Sequence, residues 1–301
     1  MRVSTSQVFR NGVESIQRSQ QEVSRTQLQL GSGKRILSPS DDPSGAVKSL
    51  QLTNAVGKLE QYERNALAVT QRLRSTETVL TSVVDGMQRV RELVVQGNNG
   101  SQTSETRTMI ASEIAQVREE LLQLANSQDA NGEYLFAGLR SSEKPFVANT
   151  ETGAVIFEGN GEPRSVQISA VRFVPVGDSG ATVFGDVGDG SLFELYAEIV
   201  SFLENGSESF HEDMGQALGD LDLALGRLLE TRTSLGARMN TVETQSRINE
   251  DQLLQVKTAL SEIQDLDYAE AIGRFNLQQT ALQAAQQTFV QVQRLSLFNF
   301  L

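Results

Sequence analysis

A seven-residue repeat constrains this chain more than any other feature of it. From Leu52, residues seven apart read Leu52, Leu59, Ala66, Leu73, Leu80, Met87 and Val94. The positions three further on read Ala55, Tyr62, Val69, Thr76, Val83, Val90 and Gly97. An a/d seam sustained over this span demands a long helix packed along its length. Asp42 before Pro43 supplies an N-cap and a first-turn proline, and Gly97-Asn-Asn-Gly100 supplies the stop. At 1.5 Å per residue the helix extends for about 80 Å, too long for a compact globule, so the spacing predicts a rod.

Two further helical stretches complete it. Ile110, Ile114, Val117, Leu121 and Leu124 share one face of a second helix, expected to end near Asn131-Gly132. The short connection makes it an antiparallel neighbour of the first. A third seam steps by three and four through Met214, Leu218, Leu221, Leu225, Leu228, Arg232, Leu235, Met239, Val242, Ser246 and Asn249, and on to Ile263. Arg232, Ser246 and Asn249 interrupt it with polar side chains, which in such seams set register.

Between the second and third seams the composition changes. Residues 139–190 hold three of the five prolines and the short runs Val155-Ile-Phe157, Val166-Gln-Ile168, Val171–Val176 and Ala181-Thr-Val-Phe184. Alternation and turn residues read as strands. The fold class is therefore mainly α, a long antiparallel helical bundle with a β-rich insertion: rod at 43–138 and 208–265, insertion at 139–207.

The chain ends, 1–42 and 266–301, are amphipathic helices of their own. Phe9, Ile16, Val23 and Leu30 recur every seven residues, with Val13 beside them. Phe275, Leu282 and Phe289 do the same, flanked by Ala271, Ala285, Val292 and Leu295. Breaks at Gly31-Ser-Gly33 through Pro43 and at Asp265-Leu-Asp267 set them apart. A lone amphipathic helix of this length is marginal in water. The two ends can pair with each other or wait for neighbouring subunits, and the apolar tail Leu295–Leu301, with Phe298 and Leu301, calls for a cover.

Chemistry is scarce. A net charge of −12 argues against broad nucleic-acid binding, which needs a basic footprint. Zero cysteines exclude thiol catalysis and disulfides, and the lone His211 excludes a two-histidine metal motif. No stretch has the apolar length to span a bilayer, and none near the N-terminus reads as a cleaved signal. No cofactor is expected. Asp41-Asp42 is better explained as a helix start than as a catalytic pair. Asp186-Val-Gly-Asp189-Gly190 lacks the spacing of a calcium loop, and Gly31-Ser-Gly33-Lys34 lacks that of a phosphate-binding loop.

At this point the residues carry a resemblance. The N-terminal helix followed by GSGKRILSPSDDPSGA, the segment NGEYLFAG (Asn131 to Gly138) with Lys144-Pro-Phe146, and the stretch from SLGARMNTVE (Ser234 to Glu243) to the final LSLFNFL resemble the bacterial flagellin family. SPSDDP is closest to its hook-associated branch. The resemblance covers roughly 1–140 and 210–301. It implies a structural, non-enzymatic subunit of the extracellular flagellum at the junction between hook and filament. It further implies that 1–42 and 266–301 pair as an inner coiled coil used for assembly, while 139–207 projects outward.

The implied assembly residues are Phe9, Val13, Ile16, Val23 and Leu30 at one end, and Phe275, Leu282, Ala285, Phe289, Val292, Leu295, Phe298 and Leu301 at the other. The second set would also bind an export chaperone. Implied partners are copies of this chain, another hook-associated protein on the hook side, flagellin on the filament side, the chaperone, and the type III export apparatus. Export would be as an unfolded chain after a transient cytoplasmic stay, with the ends ordering on assembly. A filament-forming flagellin and a coiled-coil chemoreceptor hairpin are the other readings. The receptor would lack the β insertion and the apolar tail.

Overall fold

A computed structural model describes residues 2–149, 153–185, 190–206 and 209–298, without the side chains of 2–6, 8 and 293–298. The chain forms two compact units: residues 59–250, and residues 1–58 together with 251–301. These divide inside two long helices, α2 (Pro43–Gly97) and α6 (Phe210–Gln264), which the helical terminal segments α1 (Arg2–Ser32) and α7 (Tyr268–Phe298) flank.

Within 59–250 the repeat is realised as read. Every a and d position of α2 from Ala66 to Gly97 is buried. The helix α3 (Ser104–Ala125) runs antiparallel to α2, with Arg89 on α2 paired to Glu113 at 2.6 Å. Its apolar face, with Ile110, Ile114 and Leu121 buried, closes one side of the core. The helix α6 also runs antiparallel to α2, and the polar interruptions of its seam reach partners. Arg232 pairs with Glu77 at 2.7 Å, Ser246 donates to Glu63, and Asn249 donates to the carbonyl of Ile168 at 2.9 Å. A one-heptad slip would break all three at once, which is how such residues hold register.

Three local expectations change. The helix α3 stops at Ala125, short of Asn131-Gly132, because the Asn126 side chain exchanges two hydrogen bonds of 3.0 Å with the backbone of Phe146. The run Ala181–Phe184 is helical, forming α4 (Gly180–Phe184), with the Ser179 hydroxyl capping its first turn at Ala181. The last part of the expected β-rich segment is the helix α5 (Leu192–Asn205). Ser191 and Glu194 form a reciprocal capping box there, and Leu192, Leu195, Ile199 and Leu203 bury one face against α3.

The strands are short. β1 (Phe146–Ala148) pairs antiparallel with β2 (Val155–Phe157), setting Phe146 opposite Phe157. β3 (Ser165–Gln167) pairs with β4 (Phe173–Pro175), setting Val166 opposite Val174. Ile168, Val174 and Val176 cover Leu73, Leu235 and Val242 of the long helices. Phe146 lies 5.2–5.4 Å, centroid to centroid, from Phe157, Phe184 and Phe193, so a cluster of rings joins the strands to α4 and α5.

The segment NGEYLFAG is an internal tie. Asp129 accepts from the amides of Asn131 and Glu133, while Arg72 of α2 reaches Asp129 at 2.7 Å, Glu133 at 2.9 Å and the Tyr134 carbonyl at 2.8 Å. Phe136 is fully buried. Gly138 has φ +65° and backs onto the Asn160 carbonyl, where no side chain fits.

Candidate assembly interface

The unit containing both chain ends is built on α1 and α7. Asp267 accepts from the amides of Ala269 and Glu270 and so starts α7, while Gly33, at φ +69°, lets the chain leave α1. The two helices lie antiparallel and in contact. Near their inner end the Thr26 hydroxyl donates to Gln278 Oε1 at 2.8 Å. Near their outer end the rings of Phe9 and Phe289 lie 4.9 Å apart.

The sequence-derived positions fall mostly along the half-buried stripes of this pair. Val13, Ile16, Val23 and Leu30 are half-buried on α1, as are Phe275, Leu282, Ala285 and Phe289 on α7. Phe9 is exposed despite its ring contact, and so is Val292. Leu301 and the side chains of Leu295 and Phe298 lie outside the described residues. Asp186–Asp189 does also. Each helix keeps further apolar residues on its outside, including Leu28 at 62% exposure and Ile272 and Leu277 at 49% and 73%.

The polar residues at the inner end, Thr26 buried and Gln278 half-buried, do not follow from apolar spacing. Thr26 and Gln278 occupy the positions three after Val23 and Phe275, so the same heptads contain them. Gln29, also buried, donates to the Arg35 carbonyl at 2.7 Å.

The segment 33–42 then joins four helix ends. Arg35 donates through Nε and Nη2 to the Ile263 carbonyl at the end of α6, at 3.2 and 2.9 Å, and its amide donates to Gln264. Leu266, ahead of α7, returns a bond to the Gly33 carbonyl at 3.0 Å. Asp42 accepts from the amide of Gly45 at 2.8 Å and so caps α2, as its place before Pro43 predicts. Arg25 of α1 pairs with Asp41 at 2.9 Å.

The same bonds act on the carboxylates. The Ser38 amide, then that of Leu37, together with Arg25, hold the Asp41 carboxyl below the ordinary aspartate range. The Gly45 amide, the Ser44 hydroxyl and Arg35 do so for Asp42. Both aspartates are consumed in local structure. Among the described residues no group of three His, Asp or Glu side chains is placed to hold a metal, and no helix is long and apolar enough to cross a membrane.

Paired helical chain ends, together with a separate helical unit that carries a small strand segment, define a subunit of the flagellin class. Residues 3–141 match the family model of the bacterial flagellin N-terminal helical region, and residues 218–301 that of its C-terminal helical region. The chain belongs to the flagellar hook-associated protein 3 family: it is 30% identical to flagellar hook-associated protein 3 of Escherichia coli K12 over 99% of each chain. It is also 28% identical to Bacillus subtilis flagellin, over 87% of this chain and 86% of that one. A solved flagellar hook-associated protein from Vibrio parahaemolyticus is 26% identical and superposes with a TM-score of 0.69, covering 75% of this chain and all of that one. The resemblance read from GSGKRILSPSDDPSGA, NGEYLFAG and the C-terminal stretch thus holds over both ends.

Proposed function

We propose that this chain is a structural, non-catalytic subunit of the extracellular bacterial flagellum, placed at the junction between hook and filament. Its terminal helices hold it there. The observation that carries this reading is the α1–α7 pair, which half-buries one stripe and leaves Leu28, Ile272 and Leu277 uncovered. Exposed apolar side chains on both helices of a pair suit a second layer of contacts with neighbouring subunits. Full-length similarity to a hook-associated protein 3 supports the junction over the filament, since the flagellin match covers less of both chains.

In this reading, 1–42 and 266–301 form the inner assembly domain, 43–138 and 208–265 the helical domain, and 139–207 the outer one. The assembly residues are those of the two stripes, Phe9 to Leu30 and Phe275 to Leu301. Neighbours are copies of the chain, another hook-associated protein on the hook side and flagellin on the filament side. The C-terminal helix is also the surface for an export chaperone ahead of type III export from the cytoplasm. Ordering a residue costs about 1–2 kcal/mol, so ends with few buried side chains gain most of their order by docking.

A deletion strain tests the reading. Hooks without filaments, with unassembled flagellin in the medium, are expected. Normal filaments on motile cells contradict it, and filaments lost together with this chain's own polymer would favour the flagellin alternative.

A further inference from the structure

Asparagine followed by glycine is a chemically labile step in any chain. Glycine has no side chain to shield its nitrogen, and its backbone turns freely, so that nitrogen can reach the asparagine Cγ. Residues 59–250 contain four such steps, at Asn99, Asn131, Asn160 and Asn205. A fifth, Asn11-Gly12, lies in the other unit. The four form two matched pairs: Asn99 and Asn205 precede Gly-Ser, while Asn131 and Asn160 precede Gly-Glu. Local sequence therefore ranks the members of each pair equally. The fold separates them.

At Asn131 and Asn205 the glycine nitrogen is committed. The Gly132 amide donates to the Asp129 carbonyl at 3.0 Å, in the turn that Arg72 ties to α2. The Gly206 amide donates to the Phe202 carbonyl at 3.0 Å and closes the end of α5. Either nitrogen must give up that bond before it can attack. The amides of Gly100 and Gly161 have no hydrogen-bond partner among the described residues. The carbonyl they would attack is also prepared. The Glu162 amide donates to Asn160 Oδ1 at 2.7 Å, and the amide and hydroxyl of Ser101 both donate to Asn99 Oδ1 at 3.1 Å. Donors on a carbonyl oxygen draw charge from its carbon and stabilise the oxyanion that forms on attack.

We propose that Asn99 and Asn160 are sites of spontaneous deamidation in the folded chain, while the fold protects Asn131 and Asn205. The glycine nitrogen loses its proton to solvent and bonds to Cγ. The Cγ–Nδ2 bond breaks, ammonia leaves with a proton from water, and a succinimide closes. Water then splits one of the two carbonyl–nitrogen bonds of the ring, leaving aspartate or isoaspartate. Each event adds one negative charge to a unit that is already acidic. At Asn160 the isoaspartate product also lengthens the main chain by one methylene. That residue is anchored: its amide donates to the Ala137 carbonyl at 3.0 Å, and its own carbonyl backs onto Gly138. The chemistry belongs to the chain itself and does not rest on the flagellar role.

The test is ageing of the full chain at mildly alkaline pH, folded in buffer and unfolded in guanidinium chloride. Peptide mapping by mass spectrometry follows the replacement of each side-chain NH2 by OH, and isoaspartate-specific carboxyl methylation identifies the product. Unfolded, the two members of each matched pair should react at similar rates. Folded, Asn99 should outpace Asn205, and Asn160 should outpace Asn131, each by several-fold. Ser101→Ala removes one donor and should slow Asn99, with Asn160 in the same molecules as an unchanged reference. Equal folded rates within either pair overturn the proposal, as does a difference that persists undiminished in the unfolded chain. An Asn99 rate untouched by Ser101→Ala overturns the part assigned to the donors.

Discussion

The guanidinium of Arg72 sits beside Leu73 at 8% exposure, between the carboxylates of Asp129 and Glu133. Removing one partner of a buried pair strands the other charge, at a cost of about 3–5 kcal/mol. Arg72→Ala should therefore lower stability by about 3 kcal/mol in urea titrations followed by helical circular dichroism. Adding Asp129→Asn should return part of that loss, because the stranded carboxylate carries most of it. Asp41 and Asp42 respond to pH instead. Their carboxyls are held below the ordinary value of 3.8 in the folded chain, so unfolded chains protonate first as pH falls. Their stabilisation is complete above that value and is lost as pH drops through the depressed ones. Hydrogen exchange over residues 33–46 should show Asp41→Asn with Asp42→Asn less protected than the parent at pH 7. The difference should close as the solution is acidified below the ordinary aspartate range; a gap that persists there would contradict the charge-based account.

At the scale of elements, the contrast between α4, α5 and the strands is instructive. Val155–Phe157 and Ala181–Phe184 have similar β-favouring compositions, yet one is a strand and the other a helix. Ser179 at the cap and the burial of Val183 and Phe184 decide the second, since tertiary packing overrides weak local propensity. The helix α5 was legible in principle: Ser191-x-x-Glu194 opens a run with apolar residues at Leu192, Leu195, Ile199 and Leu203, which is helical spacing. Ser191→Ala removes the cap that starts it and should cost about 1 kcal/mol, measured by chemical denaturation. Glu194→Gln, which can still accept from the Ser191 amide, should cost less than that. A cost from Ser191→Ala as small as that of an ordinary surface substitution would mean that packing on α3 alone holds α5.

At the scale of the whole chain, the uneven charge follows the division of labour in the proposed function. Phe173–Gly226 carries eleven acids and no Lys or Arg, whereas residues 1–35 carry six bases and two acids. The acidic stretch contributes most of the net charge of −12 and keeps its surroundings solvated. The two units also differ in how they are held. Residues 59–250 contain the large aliphatic and aromatic core, while the unit of the chain ends has few fully buried side chains. Limited proteolysis of the free chain should therefore trim both ends inward from their tips and spare 59–250. Equal resistance along the whole chain would show that the ends are as firmly packed as the core.

The sequence by itself determined the long helices and their inward faces. From Ala66 to Gly97 every a and d residue of α2 is buried, because a period near 3.5 leaves one face to bury whatever the partner is. It also determined the cap at Asp42 and the family, through short segments whose residues are spent on turns and ties. Only the tertiary structure decided which polar residues do the tying. Arg72 finds Asp129, Thr26 finds Gln278, and Arg35 finds the Ile263 carbonyl across 57, 252 and 228 residues of chain. Periodicity is a local property and reads out which side of a helix turns inward. A hydrogen bond between distant segments depends on where the fold brings two particular atoms, and no spacing within either segment contains that.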